Sequence, residues 1–374
     1  KTSVIWFRKS LRLHDNPALT AACENENIDS ILPLYILDPG TLGENYQKWS
    51  PNRLRFLIES LSDLDHQLSS KYGSRLFILQ GNPNVIFENM ADQLGQTFHS
   101  INCEYCSEPW DRKNLSSLQK ALEEKNASIR IQSFSAFQTI LDVENTVSST
   151  DYRNPKSMKD IDRIFSSHFD IDEHGFYKIE DPIPAPGKIK PLPQIANVQS
   201  LSMEELSTQI SREVKTDIMS VKSYFPGGET EALDRLKKKV SGQTDYVNTF
   251  RKPKTISTNQ TGEPMEPSTT GLSPYLSVGC ISVRKLWKEC EKCQRQGAHS
   301  QPPESLHGQL MFREMFYLLS RSVEHWDEDQ SNEMCKTIEW GDFDQKKMEA
   351  WENGQTGFPL IDAMMRQLHT TGWM

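Results

Sequence analysis

Four hydroxyl residues, Ser268, Thr269, Thr270 and Ser273, crowd into one short stretch that runs straight into Pro274. A hydroxyl N-cap followed by proline at the first helical position starts a helix. The exposed amides of that helix end, with hydroxyls beside them, make a seat for a phosphate group; the bland alternative is a polar loop that only caps the helix. From Pro303 onward the chain reads as a second helix, one without a solvated side. Leu306, Leu310 and Tyr317 lie along one flank, while Gln309, Phe312, Arg313 and Phe316 share another at i, i+3, i+4 and i+7 spacing. A buried stripe that carries an amide and a guanidinium has to face something polar. Seat and stripe together predict one ligand closed between them.

The elements that must position these residues fall into two kinds. Apolar runs of strand length at 2–7, 31–37, 75–80, 98–102 and 128–132 alternate with helical patterns, among them one opened by Ser50-Pro51 and carrying Leu54, Leu57, Ile58, Leu61, Leu64 and Leu68. That alternation predicts a parallel sheet covered on both faces. No GxGxxG follows the first strand, so a dinucleotide fingerprint is absent. CEYCSEPWDR (103–112) falls at the sheet's carboxyl edge, a usual ligand crevice, where Glu104 and Glu108 line it or are simply solvated loop acids. Periodicity weakens over 133–222, and DPIPAPGKIKPLP (181–193) is expected to be an extended connector. After Gly227-Gly228 the pattern is helical. Ser282 caps a helix burying Val283, Leu286, Trp287 and Cys290, and Pro359 opens another in which Asp362 and Arg366 form an i,i+4 pair.

At 374 residues the chain is long enough for two domains with substantial cores. Its hydrophobic fraction of 36% and mean hydropathy of −0.62 suit a soluble protein with polar linkers, and no apolar run approaches the ~20 residues of a membrane span. The opening KTSVIWF reads as a strand, not a signal peptide. A net charge of −9 leans against duplex DNA as the main partner, because basic groups supply much of such affinity. Seven scattered cysteines suit a reducing compartment. The pairs Cys103/Cys106 and Cys290/Cys293 would make a zinc site only by meeting across two domains, and ordinary reduced thiols are the expectation.

The stretch 268–317 resembles the flavin cradle of the photolyase/cryptochrome family, and so do FPGGETEAL (225–233), WFRKSLRLHDNPAL (6–19) and TGFPLIDAMMRQL (356–368). These segments fall in the family's order across nearly the whole chain. The resemblance implies a Rossmann-like α/β antenna domain over 1–132, an interdomain linker over 133–222, and an all-α FAD-binding domain over 223–374. It also implies a full-length protein that continues past Met374, and the missing initiator Met suggests trimming at the start. FAD, held non-covalently, would contact Lys252, Thr269, Thr270, Leu272, Ser273, Gln309, Arg313 and Phe316, with the hydroxyls and Arg313 on its pyrophosphate. The helix 356–368 would lie beside its adenosine end, and an antenna pigment is compatible with the first domain. Trp340, eleven residues before Trp351, matches the outermost member of the family's tryptophan relay, although Glu339 stands where proline is usual; the inner members would lie beyond Met374.

Within the family, repair of cyclobutane dimers goes with Glu at the position of Gln309, and repair enzymes usually carry Trp at that of Phe312, where an indole packs on a flipped lesion. Gln309 is shared by 6-4 photolyases and animal cryptochromes, while Phe312, the Trp340–Trp351 step and the acidic balance resemble light-receptive animal cryptochromes. The resemblance therefore implies a blue-light photoreceptor that signals through light-driven Trp-to-flavin electron transfer, in circadian or related clock entrainment. Its partners would be clock or signalling proteins, with self-association compatible, no membrane, and residence in cytoplasm and nucleus. The enzyme alternative is a light-dependent 6-4 DNA photolyase, for which DNA is the partner. A third reading is a light-independent clock transcriptional repressor.

Overall fold

A computed structural model describes every residue except 126–127, 136–137, 195–197, 222–223, 254–258, 261–262, 329–331, 340 and 373–374. The first half alternates strand and helix: β1 (Thr2–Phe7), α1 (Pro17–Glu24), β2 (Ser30–Leu37), α2 (Pro39–Leu42), α3 (Pro51–Tyr72), β3 (Phe77–Gln80), α4 (Pro83–Leu94), β4 (Phe98–Glu104), α5 (Pro109–Glu124) and β5 (Arg130–Phe134). The strands form one five-stranded parallel sheet in the order β3-β2-β1-β4-β5. Val4 and Trp6 face one core with Leu32, Leu34, Phe77 and Phe87, while Ile5 and Phe7 face the other with Ile31 and Tyr35, as the two-residue period of a strand requires. β5 lies two residues later than the sequence run suggests; as an edge strand with exposed and half-buried positions it has little apolar pattern to mark its ends.

The stretch 133–222 carries three short helices, α6 (Val143–Val147), α7 (Met158–His168) and α8 (Met203–Glu213). α7 and α8 are both amphipathic, burying Ile161 and Phe165 and Leu206 and Ile210 at four-residue spacing, a period that the short length of each helix hides within the surrounding polar sequence. The proline-rich segment is extended and laced to the sheet layer: Ile31 N donates to Pro191 O at 3.0 Å, and Asp15 N to Ile183 O at 2.7 Å. The remainder is α9 (Glu229–Lys239), α10 (Thr244–Thr249), the antiparallel pair β6 (Asn259–Gln260) and β7 (Glu263–Pro267), α11 (Ser273–Val278), α12 (Val283–Gln294), α13 (Leu306–Ser322), α14 (Gln345–Glu352) and α15 (Pro359–Thr371). Leu272, Tyr275, Leu286 and Leu310 of this part share one continuous core with Ile5 and Phe7 of the sheet.

Two of the sequence motifs are halves of one clamp. Glu229, 3% exposed, accepts from Leu13 N at 2.7 Å and His14 N at 3.0 Å, and also from Gln67 Nε2. Asp15, fully buried, pairs with Arg284 of α12. Arg12, also fully buried, donates to the Gly279 carbonyl at 2.9 Å. Each donor and acceptor would cost energy if buried alone, so the three pairs lock the turn after β1 to the helical part.

Candidate functional site

The hydroxyl loop ends one residue away from the position its composition suggests. Leu272, 1% exposed, is drawn into the core and occupies the cap position of α11, so Ser273 is the first helical residue and no side chain caps that end. The loop is set from behind by Arg235, which the sequence reading missed. Its Nε donates to the Thr270 carbonyl at 2.9 Å and its Nη2 pairs with Glu266 at 2.6 Å. Gly271, at φ +62°, leaves room for this guanidinium, since a β-carbon there would lie 2.4 Å from Nη2. Thr270 Oγ1 accepts weakly from Leu272 N at 3.4 Å, Thr269 is half-buried and Ser273 is exposed. Tyr246 of α10 donates to the Ser268 carbonyl at 3.2 Å.

α13 starts at Leu306, three residues past Pro303, because Ser305 accepts from Gly308 N at 3.1 Å and caps it. Gln309 Nε2 reaches back to the Pro303 carbonyl at 2.9 Å. Arg313 donates through Nη1 to the Gln138 carbonyl and through Nη2 to Tyr317 Oη at 3.0 Å. Phe312 is half-buried, with Lys252 Nζ 5.4 Å from its ring centre. The backbone of Lys252 donates to Glu304 O at 3.0 Å, so the segment from Tyr246 to Lys252 spans from the hydroxyl loop to the head of α13. Phe316 is not gathered with the rest: it is 55% exposed, in a groove with Trp110 and Trp326. Trp340 lies outside the described residues. Asp362 and Arg366 meet differently from a side-chain ion pair, for the carboxylate holds Thr356 and Gly357 while Arg366 Nε donates to the Asp362 backbone carbonyl at 3.1 Å.

A second concavity of about 460 Å³ opens at the carboxyl ends of the strands. It sits where the strand order turns from β2-β1 to β1-β4, the switch point at which open α/β sheets place ligands. Trp6, Arg8 and Lys9 come from the end of β1, Tyr35 and Asp38 from the end of β2, and Trp110 from α5. Arg53 stacks on Trp49 at 3.8 Å along another wall. Glu108 lines this cavity; Glu104 lies behind it, 1% exposed, accepting from Lys9 N at 2.7 Å and Ser10 Oγ at 3.1 Å. Ser277 of α11 and Tyr317 of α13 close the far side, so the cavity and the hydroxyl-loop site share a wall.

Residues 3–186 match a family model described as DNA photolyase, and residues 305–374 one described as the FAD binding domain of DNA photolyase. The chain belongs to the photolyase/cryptochrome family. It is 32% identical over 389 residues to a (6-4)DNA photolyase of Arabidopsis thaliana, aligning all of this chain with 64% of that protein. It is 34% identical over 390 residues to Cryptochrome-2 of Gallus gallus, aligning all of this chain with 60% of that protein. The chain thus spans about three fifths of the length of these curated relatives. A solved cryptochrome from Synechocystis superposes with a TM-score of 0.77 at 24% identity, covering all of this chain and 72% of that one, which shows the shared fold.

FAD is the cofactor of this photolyase/cryptochrome chain, and the residues present fit an anionic dinucleotide. Lys252 and Arg313 form no ion pair among the described residues, and the amino end of α11 has no side-chain cap, so positive charge and amides stand ready for a phosphate. The thiols do not suit a metal. Cys103 lies in the outer sheet core and Cys290 and Cys293 in the other, so the two CxxC pairs stay apart. Cys106, Glu108 and Asp111 do converge, but around Lys9, whose ammonium lies 2.7 Å from Glu108 and 2.9 Å from Asp111. Burial pushes the Cys106 thiol well up, and it donates to Asp111 at 3.0 Å.

Glu314, on α13 of the photolyase/cryptochrome cradle, gave no signal in the sequence. It is fully buried, accepts from Ile140 N and Leu141 N at 3.0 Å each, and leaves Oε1 without a partner. Burial outweighs the pull of Arg313 and the two amides and raises its pKa to about 7. The folded state therefore favours the protonated form: that stabilisation is complete below the ordinary value of 4.5 and is lost as pH rises through about 7. Glu314→Gln keeps the two acceptor bonds without the charge. It is expected to gain on the order of 3 kcal/mol over the parent near pH 8 and under about 1 kcal/mol near pH 5, measured by urea unfolding. A gain that does not change with pH would show that Glu314 titrates alike in the folded and the unfolded chain.

Proposed function

We propose that this chain is the photosensory part of a blue-light receptor of the cryptochrome kind. The observation that carries the reading is the polar face of α13. There Gln309 is engaged with the Pro303 carbonyl, and a phenylalanine, Phe312, lies beneath the Lys252 ammonium. A surface built for a flipped lesion would offer a wide indole; this one offers a phenylalanine. Bound FAD supplies the light absorption and the one-electron chemistry. The residues of this chain orient it: Lys252, Thr269, Thr270, Leu272 and Ser273 at its phosphates, Gln309 and Arg313 along α13, and Phe316 at the margin. Trp340 is the proposed surface end of the electron path. The cavity at the sheet edge, sharing Tyr317 with α13, supports a place for an antenna pigment. Clock or signalling proteins are the proposed partners, in cytoplasm and nucleus.

The relatives include a 6-4 photolyase, which keeps repair as the second reading. A light-driven repair assay on the full-length protein, with reduced flavin and 6-4-damaged DNA, separates the two. The receptor reading predicts turnover no greater than in the dark from a sample whose FAD still photoreduces, and slower photoreduction in Trp340→Phe. Turnover well above the dark control would overturn it. Protein purified without flavin would instead favour a light-independent repressor.

A further inference from the structure

The side of α13 turned away from the cofactor residues borders a cavity that neither pigment site uses. At 3.6 residues per turn, His307 and Met311 lie about half a turn from Gln309, Phe312, Arg313 and Phe316. They close the floor of a pocket of about 360 Å³, together with Trp287 and Gln294 of α12. Its outer wall is the hairpin around the Ile171–Tyr177 bridge, held to α12 by the Asp172–Arg295 ion pair at 2.5 Å. Two flat stacks stand on either side. His307 lies parallel to Trp287, ring centres 3.8 Å apart and planes 9° apart, with Phe165 beyond it. His299 stacks on Phe176 at 5.6 Å, with the Arg295 guanidinium over that same Phe176 ring at 4.4 Å.

The floor holds polar groups that the protein itself leaves open. Gln294 is 3% exposed, yet its side-chain amide has no hydrogen-bond partner among the described residues. His307 is 6% exposed, and its Nε2 donates to the Trp287 carbonyl at 3.0 Å, which fixes Nδ1 as a lone-pair acceptor. The Gln294 amide opens on the pocket, where a ligand can supply both a donor and an acceptor to it. The mouth carries the Asp162 carboxylate, occupied by Tyr177 Oη at 2.6 Å, which disfavours a phosphate.

We propose that this pocket binds a neutral purine nucleoside of the adenosine type. Its base would stack on the His299–Phe176 pair and be read edge-on by Gln294 and His307 Nδ1. A glutamine amide presents one acceptor and one donor, the match for an exocyclic amine beside a ring nitrogen, and the histidine Nδ1 accepts the second amine hydrogen. The pocket's volume lies within the range of small-ligand sites.

The test is a titration of the FAD-loaded protein with adenosine, and with inosine as comparator, by ligand-observed NMR and calorimetry. Adenosine is expected to bind at least ten times tighter than inosine, without displacing flavin absorbance. Gln294→Leu should weaken adenosine at least tenfold while leaving thermal stability equal or higher, since it removes an unpartnered buried amide. His299→Ala, at the mouth, gives a second variant and should weaken it severalfold. Lys120→Ala, exposed on α5 and not part of this pocket's lining, should leave adenosine binding unchanged. The proposal is overturned if adenosine does not bind, if Gln294→Leu or His299→Ala binds as the parent does, if inosine equals adenosine, or if binding is matched by loss of flavin.

Discussion

Arg284→Ala is expected to lower unfolding free energy by about 3–5 kcal/mol, because it removes the ion-pair partner of the buried Asp15 carboxylate, which then keeps the Ile183 N–H at 3.0 Å. Arg284 is 5% exposed and Asp15 fully buried; Nε of the former donates to Oδ2 of the latter at 3.1 Å, and Nη2 to Oδ1. Burial by itself would raise the Asp15 pKa, but the Arg284 hydrogen bond and the nearby Arg12 charge hold it below its ordinary value. With the folded pKa depressed, this stabilisation is present above the ordinary aspartate pKa and is lost as pH falls through the folded one. Asp15→Asn tests the other side of the pair and suits the backbone, since Asp15 lies at φ +47°, which asparagine tolerates. Combining Asp15→Asn with Arg284→Leu should recover part of the loss, since no charge is then left buried and position 15 keeps a residue that tolerates φ +47°. Urea melts of the singles and the double check this; a single-variant loss below about 1 kcal/mol would mean that water replaces the missing charge.

Gly279→Ala should be comparably damaging. Gly279 ends α11 at φ +75°, and a β-carbon on it would lie 2.0 Å from the Lys9 carbonyl oxygen, a backbone atom that cannot swing aside. The left-handed conformation costs an L-residue about 1–2 kcal/mol, and overpacking adds about 1–3 kcal/mol. Gly73→Ala separates the two contributions, because Gly73 has a similar φ of +62° and nothing within 4 Å of the added carbon. Its loss is expected near 1 kcal/mol. Equal midpoints for the two variants in denaturant would rule out the close approach of α11 to the Lys9 segment.

How far the sequence carried these conclusions depends on the kind of signal. β1 and β2, largely apolar, were legible as strands, and Ser50-Pro51 marked a helix start that the structure keeps. β5 was misplaced because an edge strand lacks that pattern. The hydroxyl loop was legible as a helix start, but a core contact of Leu272 moved the cap by one residue. Arg235 and Glu314 were invisible, since their roles come from residues 35 and 174 positions away in sequence. Glu108 was rightly placed at the crevice, whereas Glu104, of the same type in the same motif, is turned inward by the amide of Lys9.

The clamp between Glu229 and the Leu13–His14 amides also has a consequence for synthesis. Its two halves are 215 residues apart. At roughly 5–20 residues per second, a ribosome needs about 10–40 s to deliver Glu229 after His14 has been made. Through that interval water serves the Leu13 and His14 amides, so the turn after β1 reaches its final hold only once α9 has been made.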